Sequence, residues 1–179
     1  MAIERLSLAV AISPDRSVAT VALAGQRFDG DWHVEIDEQR SGTGWVVEHV
    51  AQRCARNEIR AVVIDGASQA VSLTDELREK KVKVTVTGLR DLAAACGAFY
   101  DHALQGGMWH IDQPLLNASN GAAGKRAVFN GEAWVWTGKH SALDITPTQA
   151  VTLALWGAQN SNVTKPTRKK TGGRRVITA

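Results

Sequence analysis

Apolar and polar residues alternate along three early segments of the chain, residues 5–12, 17–24 and 31–38. A period of two is typical of β-strands, because successive side chains point to opposite faces of a sheet. The polar stretch 13–16, Ser-Pro-Asp-Arg, separates the first two segments and has the composition of a tight turn. The pattern therefore predicts three strands joined by short turns, which form an antiparallel meander.

The periodicity changes after residue 44, where apolar residues take helical spacing or form continuous runs. The run 59–64 is apolar except for Arg60. A nearly continuous apolar run of this length is typical of a strand buried on both faces. Asn130-Gly131, within the segment 128–136, is a strong hairpin signal. Helices are predicted over 45–54, 68–79, 89–104, 112–122 and 144–157, with Asp112, Asp144 and Gly157 at helix ends, and a further strand over 82–86.

This order of elements predicts an α/β fold with a mixed sheet. Three antiparallel strands are followed by two parallel strands, and helices cover both faces. The 179 residues, 44% hydrophobic and 22% charged, have the length and composition of one globular domain. Because the composition changes near residue 161, we expect a domain over 1–160 and a tail over 161–179.

The cysteines and the hydropathy of the sequence indicate the cellular compartment of the protein. Cys54 and Cys96 lie in alanine-rich helical segments, which is typical of small buried residues. They form no Cys-x-x-Cys pair, so no zinc site is predicted, and their usage suits a reducing compartment. No stretch approaches the roughly 18 apolar residues of a membrane span. The N-terminus lacks a signal-peptide pattern, so we expect a soluble intracellular protein without a membrane partner.

The net charge of +3 is unevenly distributed along the chain. The tail carries six basic residues and no acidic residue, which leaves residues 1–160 with a net charge of −3. Because it lacks apolar periodicity, the tail is expected to be disordered. It either holds DNA phosphates through counterion release or is a solvated linker. The six basic residues are Lys165, Arg168, Lys169, Lys170, Arg174 and Arg175.

Two aspartates stand at the ends of predicted elements. Asp65 follows a buried strand, where ligands bind in open α/β sheets, and Asp144 stands at the head of the last helix. Each has a structural alternative as a helix N-cap, a position that Thr146 could take in place of Asp144. Carboxylates are the ligands that Mg²⁺ and Mn²⁺ prefer. We expect the two carboxylates to converge on one cleft, with Ala11 on the first strand facing both.

Several short motifs occur in a fixed order: Ala9–Ser17, Ala61–Gly66, Ala95–Asp101, and Leu143–Pro147 continuing to Ala154–Gly157. Over residues 5–158 the chain resembles the C-terminal nuclease domain of phage terminase large subunits. The resemblance looks closest to terminases of phages that infect actinobacteria. It implies an RNase H-like fold and a metal-dependent endodeoxyribonuclease that cuts concatemeric double-stranded DNA during packaging.

The resemblance also implies a nuclease centre of three acids, on the first strand, at the end of the fourth strand and at the start of the final helix. Asp65 and Asp144 match the second and third, and would hold two Mg²⁺ or Mn²⁺ ions. Ala11 stands where the first acid is expected. Asp15, in the turn that follows, could reach the cleft if the turn folds over it. Ala11 is either natural or a substitution that disables cutting.

Other residues are weighed as DNA contacts or as ordinary surface and core positions. The candidate phosphate contacts, each with the alternative of a solvated loop or tail, are Lys125, Arg126, Lys139, Arg168, Lys169 and Lys170. We interpret His140 as an exposed loop residue and His110 as structural. The six tryptophans are interpreted mostly as core residues rather than base-stacking platforms. The glycine-rich stretch 121–126 departs from the Walker A pattern, so no ATPase site is predicted.

These observations leave three hypotheses of function. The first is a packaging endonuclease that works by two-metal hydrolysis. The second is a non-catalytic RNase H-like module that binds DNA or a partner, which Ala11 and the basic tail favour. The third is a resolvase or exonuclease of the same fold. The resemblance implies the terminase ATPase domain, the small terminase subunit and the portal protein as partners, the host cytoplasm as location, and an excised domain of a longer chain.

Overall fold

A six-stranded mixed sheet, in the order β5-β4-β1-β2-β3-β6, is the centre of the molecule. The computed structural model describes residues 3–139 and 142–161. The tail bases and His140 therefore lie outside the described residues. The strands are β1 (Ile3–Ile12), β2 (Val18–Arg27), β3 (Trp32–Ser41), β4 (Ala61–Asp65), β5 (Val84–Thr87) and β6 (Met108–Trp109). β1, β2 and β3 are antiparallel neighbours, whereas β4 runs parallel to β1 and to β5. The three antiparallel and two parallel strands that the sequence predicts are present, and β6, which runs parallel to β3, is an additional edge strand.

Helices cover both faces of the sheet, as the sequence predicts. The helices are α1 (Val46–Arg56), α2 (Thr74–Glu79), α3 (Leu89–Gln105), α4 (Pro114–Ala122) and α5 (Thr146–Asn160). One core cluster joins the Ala9 and Ala11 face of β1 to α3, α4 and α5. The other joins the Leu8 and Val10 face to α1 and α2. The period-two pattern of β1 therefore separates two different cores.

α5 is the helix that lies closest to the sheet. Small residues along it, Ala150 and Ala154 among them, pack against β1 and β2 and are fully buried. A Cβ atom at Gly157 would clash with the Ser7 hydroxyl and the Val63 side chain. Gly157, predicted to end this helix, therefore lies inside it and permits close packing, and the helix continues to Asn160.

Other predicted boundaries differ from the structure. The last helix begins at Thr146 rather than at Asp144. The segment 68–79 divides into a 3₁₀ turn, Gln69–Leu73, and the short helix α2. Asp112 does not cap α4, because Gln113 occupies the N-cap position and the Asp112 carboxylate accepts a hydrogen bond from Asn117 Nδ2.

The predicted hairpin is present and longer than its pattern indicated. β7 (Gly124–Val128) and β8 (Ala133–Thr137) pair in an antiparallel two-stranded sheet. The connection is a 3₁₀ turn, in which Asn130 and Gly131 have φ of 56° and 94°. Positive φ at both residues is what an Asn-Gly turn provides at low cost.

One tryptophan departs from the expected core position. Trp109 in β6 is 53% exposed, whereas Trp32, Trp136 and Trp156 are partly buried against the main core cluster. Trp109 lies at the sheet edge beside the β2–β3 turn, where its indole donates to Asp31 Oδ2 at 2.8 Å. No helix within residues 3–139 and 142–161 has the length and hydropathy to cross a membrane.

Candidate metal and nucleic-acid site

A cleft of about 720 Å³ lies at the carboxyl ends of β1 and β4 and is lined by Asp65, Asp144, Ala11 and Asp15. Asp65 is the last residue of β4, and Ala11 is the penultimate residue of β1. Asp144 lies in the segment that leads into α5. Topology explains why Asp65 and Ala11 line the same cleft, because the carboxyl ends of parallel strands meet at one edge of a sheet.

Five residues form a line across the sheet, which we call the cleft row because two of them, Asp65 and Ala11, line the cleft: Thr87, Asp65, Ala11, Thr20 and Gln39. Thr87 pairs with Asp65, Ala11 with Thr20, and Thr20 with Gln39. The β1–β4 register runs to Val10 opposite Ile64, so the next step places Ala11 beside Asp65. Paired residues share a face. Ala11, 5% exposed, is the apolar member of an otherwise polar row.

Asp65 is a half-buried carboxylate at the floor of the cleft. Burial raises the pKa of Asp65, and a hydrogen bond from the backbone N–H of Ala67 to Oδ1, at 3.0 Å, lowers it in part. Ser68 caps the following 3₁₀ turn, since its hydroxyl accepts from Ala70 N. The capping interpretation of Asp65 is therefore wrong.

Asp144 is held by donors on both oxygens. Its Oδ1 accepts from the backbone N–H of Thr146 at 3.0 Å. Its Oδ2 accepts from the Thr146 hydroxyl at 2.6 Å and from Gln39 Nε2 at 2.9 Å. Ile145, not Asp144, occupies the N-cap position that the sequence offered as the structural alternative, and Asp144 instead satisfies the free N–H of Thr146 at the start of α5. It does so while lining the cleft.

Asp15 is exposed at the cleft rim, and the turn that carries it is well fixed. Its Oδ1 accepts from the Ser13 hydroxyl at 2.7 Å and from both N and Oγ of Ser17, at 3.0 and 2.8 Å. These hydrogen bonds lower the pKa of Asp15 to about 2. The rim therefore carries a negative charge above that pH.

The acids of the cleft do not make up a three-acid centre. Within residues 3–139 and 142–161, no three His, Cys, Asp or Glu side chains are grouped so as to hold a metal ion. Ala11 occupies the place between Asp65 and Thr20 where a third carboxylate would complete the row. The cleft therefore presents two half-buried carboxylates, Asp65 and Asp144, and one exposed carboxylate, Asp15.

The predicted phosphate contacts are divided between two surfaces. Arg126 and Lys139, both exposed, line the cleft from the hairpin side. Lys125 is not among the cleft-lining residues; its Nζ lies 3.4 Å from the ring centroid of Tyr100 and 4.3 Å from that of Trp134. Its ammonium group is thus already engaged by aromatic faces. His110 is exposed, and its Nδ1 accepts from Asp112 N.

Sequence reasoning missed three polar residues that bond to residues lining the cleft. Gln39 and Thr20 bond to the Asp144 region, although they lie on strands where a polar residue normally indicates solvent exposure. Arg16 donates to Gln69 O at 3.2 Å and to the Ser72 hydroxyl at 3.1 Å, which joins the β1–β2 turn to the 3₁₀ turn. No pattern in the sequence indicated Gln39, because the register that places it in line with Asp65 exists only in the folded sheet.

Neither a protein-family model nor a curated protein sequence matches the chain. Solved structures of phage large terminases are similar. The large terminase of bacteriophage HK97 has a TM-score of 0.71 and 14% identity, over 87% of this chain and 40% of that chain. The large terminase nuclease of thermophilic phage G20c has a TM-score of 0.59 and 14% identity, over 83% of this chain and 80% of that chain.

A third similar structure is a mutant form of the large terminase subunit of bacteriophage Sf6, solved with calcium. It has a TM-score of 0.60 and 11% identity, over 87% of this chain and 89% of that chain. The Sf6 nuclease domain has also been solved with manganese, and the G20c nuclease with bound magnesium. The chain thus spans 40% of the HK97 protein and most of the isolated nuclease domains. The fold of this chain is that of phage large terminase nuclease domains.

Proposed function

We propose that this chain is the nuclease domain of a phage DNA-packaging terminase, a metal-dependent endodeoxyribonuclease whose substrate is concatemeric double-stranded DNA. The observation that carries the proposal is the cleft itself. Two carboxylates from distant elements, Asp65 and Asp144, line one cleft at the carboxyl ends of β1 and β4. The assignment to terminases of actinobacterial phages rests on the sequence resemblance.

The donor set fits one hard divalent cation. Carboxylate oxygens suit Mg²⁺ and Mn²⁺, and Mg²⁺ is commonly held by one or two carboxylates with water as the remaining ligands. The raised pKa of Asp65 fits this view, since a cation would offset the cost of its burial. The similar Sf6 and G20c nucleases, solved with manganese and magnesium, support the choice of ion.

The acids present do not fit two ions. A two-ion site is usually held by three or more converging carboxylates, and Ala11 supplies none. We therefore assign Asp65 and Asp144 to a single cation and derive no step through a second ion. A third carboxylate at position 11 would complete the site.

The residues of the cleft have separate parts in the proposed reaction. Asp65 and Asp144 hold the cation, and Arg126 and Lys139 contact the DNA phosphates from the hairpin side. When bound, a divalent cation supplies Lewis acidity and lowers the pKa of its bound water. The negative rim at Asp15 repels phosphates, so the hairpin side is the side from which DNA approaches.

The decisive experiment restores the missing acid. Ala11→Asp, assayed for plasmid cleavage with Mn²⁺, is expected to cut roughly 100-fold or more faster than the parent, because groups of one catalytic unit act together. Adding Asp65→Asn or Asp144→Asn to Ala11→Asp should abolish the gain. Ala67→Asp is the matched control, since it adds a carboxylate to an exposed cleft-lining position outside the cleft row. It should leave cleavage at the parent level.

Absence of cleavage by a folded Ala11→Asp variant would contradict the nuclease proposal. It would favour the second candidate function, a non-catalytic RNase H-like module that binds DNA or a packaging partner. The observation that favours this second function is Ala11, which stands where the resemblance implies an acid. In that case Asp65→Asn and Asp144→Asn should leave DNA affinity unchanged, and removal of residues 161–179 should weaken it.

The wider setting is part of the proposal. From the resemblance to terminase large subunits, we propose an ATPase domain of the same protein, a small terminase subunit and a portal protein as partners. The proposed location is the cytoplasm of the infected host. Co-purification of the chain with its portal and small subunit would test the partners.

A further inference from the structure

Gln39 is the last member of the cleft row, on the same face of the sheet as Asp65 and two strands away from Ala11. It lies on β3, and its Nε2 donates to Thr20 Oγ1 at 2.8 Å and to Asp144 Oδ2 at 2.9 Å. One amide group therefore contacts both a neighbouring strand and the carboxylate in front of α5. The network also contains the contact between the Thr20 and Thr146 hydroxyls, at 2.7 Å, and a longer contact from Gln39 Nε2 to Thr146 Oγ1, at 3.5 Å.

The number of protons available to each hydroxyl determines which group donates in each hydrogen bond of this network. Each hydroxyl has one proton to donate. The Thr146 hydroxyl uses its proton on Asp144 Oδ2, at 2.6 Å. The proton between the two threonines must then come from Thr20, which in turn accepts from Gln39. Reversing the Gln39 amide would place its carbonyl oxygen against the carboxylate, so the network also determines the amide orientation.

The two oxygens of Asp144 are left unequal by this arrangement. Oδ2 accepts from two side-chain donors, which use both of its lone pairs. Oδ1 accepts from the backbone N–H of Thr146. Thr146, one of the two donors to Oδ2, is 1% exposed, and Gln39, the other, is half-buried. The Oδ1 atom therefore keeps acceptor capacity that Oδ2 has lost.

We infer that Gln39 is a positioning residue of the metal site: through Nε2 it fixes the Asp144 carboxylate so that Oδ1 is the cation-binding oxygen. The inference rests on the proposed function, since it assigns a part to a residue that touches Asp144 and not the ion. Groups that orient a metal ligand commonly change metal affinity about 10- to 100-fold when they are removed.

The test measures Mn²⁺ affinity by electron paramagnetic resonance on the full chain. Gln39→Met keeps the side-chain length and removes the donor, and we expect about 10-fold weaker binding. Gln26→Met is the matched control, because Gln26 lies near the far end of β2 and donates to Gly30 O. It should bind like the parent. Thr20→Val, nearly equal in shape to threonine, is the second variant if Gln39→Met does not fold.

A second readout separates positioning from a merely structural contribution. In proton–nitrogen correlation NMR, the Gln39 side-chain amide signals of the parent should shift when Mg²⁺ is added. They should not shift in Asp144→Asn. Unchanged Gln39 amide signals in the parent at saturating Mg²⁺ would overturn the inference.

The outcomes distinguish the inference from the proposed function. If Asp144→Asn weakens Mn²⁺ binding while Gln39→Met behaves like Gln26→Met, the positioning role is overturned and the metal site stands. If Asp65→Asn and Asp144→Asn both bind Mn²⁺ like the parent, the metal site is overturned and the positioning role falls with it. Weaker binding in Gln39→Met and Asp144→Asn, with Gln26→Met unchanged, supports both.

Discussion

Burial changes the chemistry of Cys96 more than that of Cys54. Cys96 is fully buried where α3 meets the hairpin, against Val128 and Val135. Burial raises the pKa of the Cys96 thiol to about 11, and the charge of Asp65 contributes in the same direction. Cys54 is half-buried, and burial raises its pKa as well. Cys96 is therefore a packed apolar group at neutral pH, which agrees with the interpretation from the sequence.

The raised pKa makes a prediction about stability at high pH. A thiol whose pKa is higher in the folded state stabilises the fold below its ordinary pKa of 9.0, and this contribution is lost as the pH rises towards 11. The difference in free energy of unfolding between the parent and Cys96→Ala, measured in urea, should therefore be larger at pH 8 than at pH 11. A difference that stays constant between these two pH values would contradict the prediction. Cys54→Ala should show a smaller change.

At the scale of elements, two features bond to the outer edge of β3: the short strand β6 and the side chain of Gln113. β6 pairs with Trp32 and His33 at the start of β3. Further along, the Gln113 side chain replaces a strand: its Oε1 accepts from Ile36 N at 2.7 Å and its Nε2 donates to Ile36 O at 2.8 Å. The side-chain amide of Gln113 thereby pairs the backbone N–H and C=O of Ile36, which would otherwise be unpaired at the sheet edge.

Replacing Gln113 by Leu should destabilise the protein by about 2 kcal/mol, because a partly buried backbone N–H and C=O would each lose a partner. The control is Gln52→Leu, since Gln52 is exposed on α1 and donates to Glu48. It should change the free energy of unfolding by less than about 0.5 kcal/mol. Hydrogen exchange at the Ile36 amide should accelerate in Gln113→Leu. Equal stability of the two variants would show that the Gln113 contacts do not contribute.

Periodicity was sufficient to predict the long elements, since a strand of ten residues such as β1 shows its alternation several times over. It could not predict β6, because two residues show no period, nor the 3₁₀ turn within the segment 68–79. The aspartates were predictable because they stand at element ends. Gln39 was not, because its contact with Asp144 depends on a register across β1, β2 and β3 and a separation of 105 residues.

At the scale of the whole molecule, charge is separated around the cleft. Residues 1–160 carry a net charge of −3, and the cleft itself is lined by three aspartates, Asp65, Asp144 and Asp15. The basic side chains that line it, Arg126 and Lys139, come from the hairpin side. An acidic body of this kind needs localised cations to hold DNA, because DNA is a dense polyanion. For the proposed DNA substrate, the hairpin side and the tail are the two candidate sources of such cations.

Salt dependence can separate these two sources. Each phosphate neutralised by the protein contributes about 0.9 to the slope of log affinity against log salt concentration. Arg126→Ala with Lys139→Ala should therefore lower the slope for duplex DNA by roughly 2, with weaker binding at every salt concentration. Lys83→Ala is the control, because Lys83 is exposed just before β5, at the opposite end of the strand from Thr87 and the cleft. It should leave the slope unchanged. If the double variant keeps the parent slope and removal of residues 161–179 abolishes it, the tail holds the DNA and the assignment of Arg126 and Lys139 is wrong.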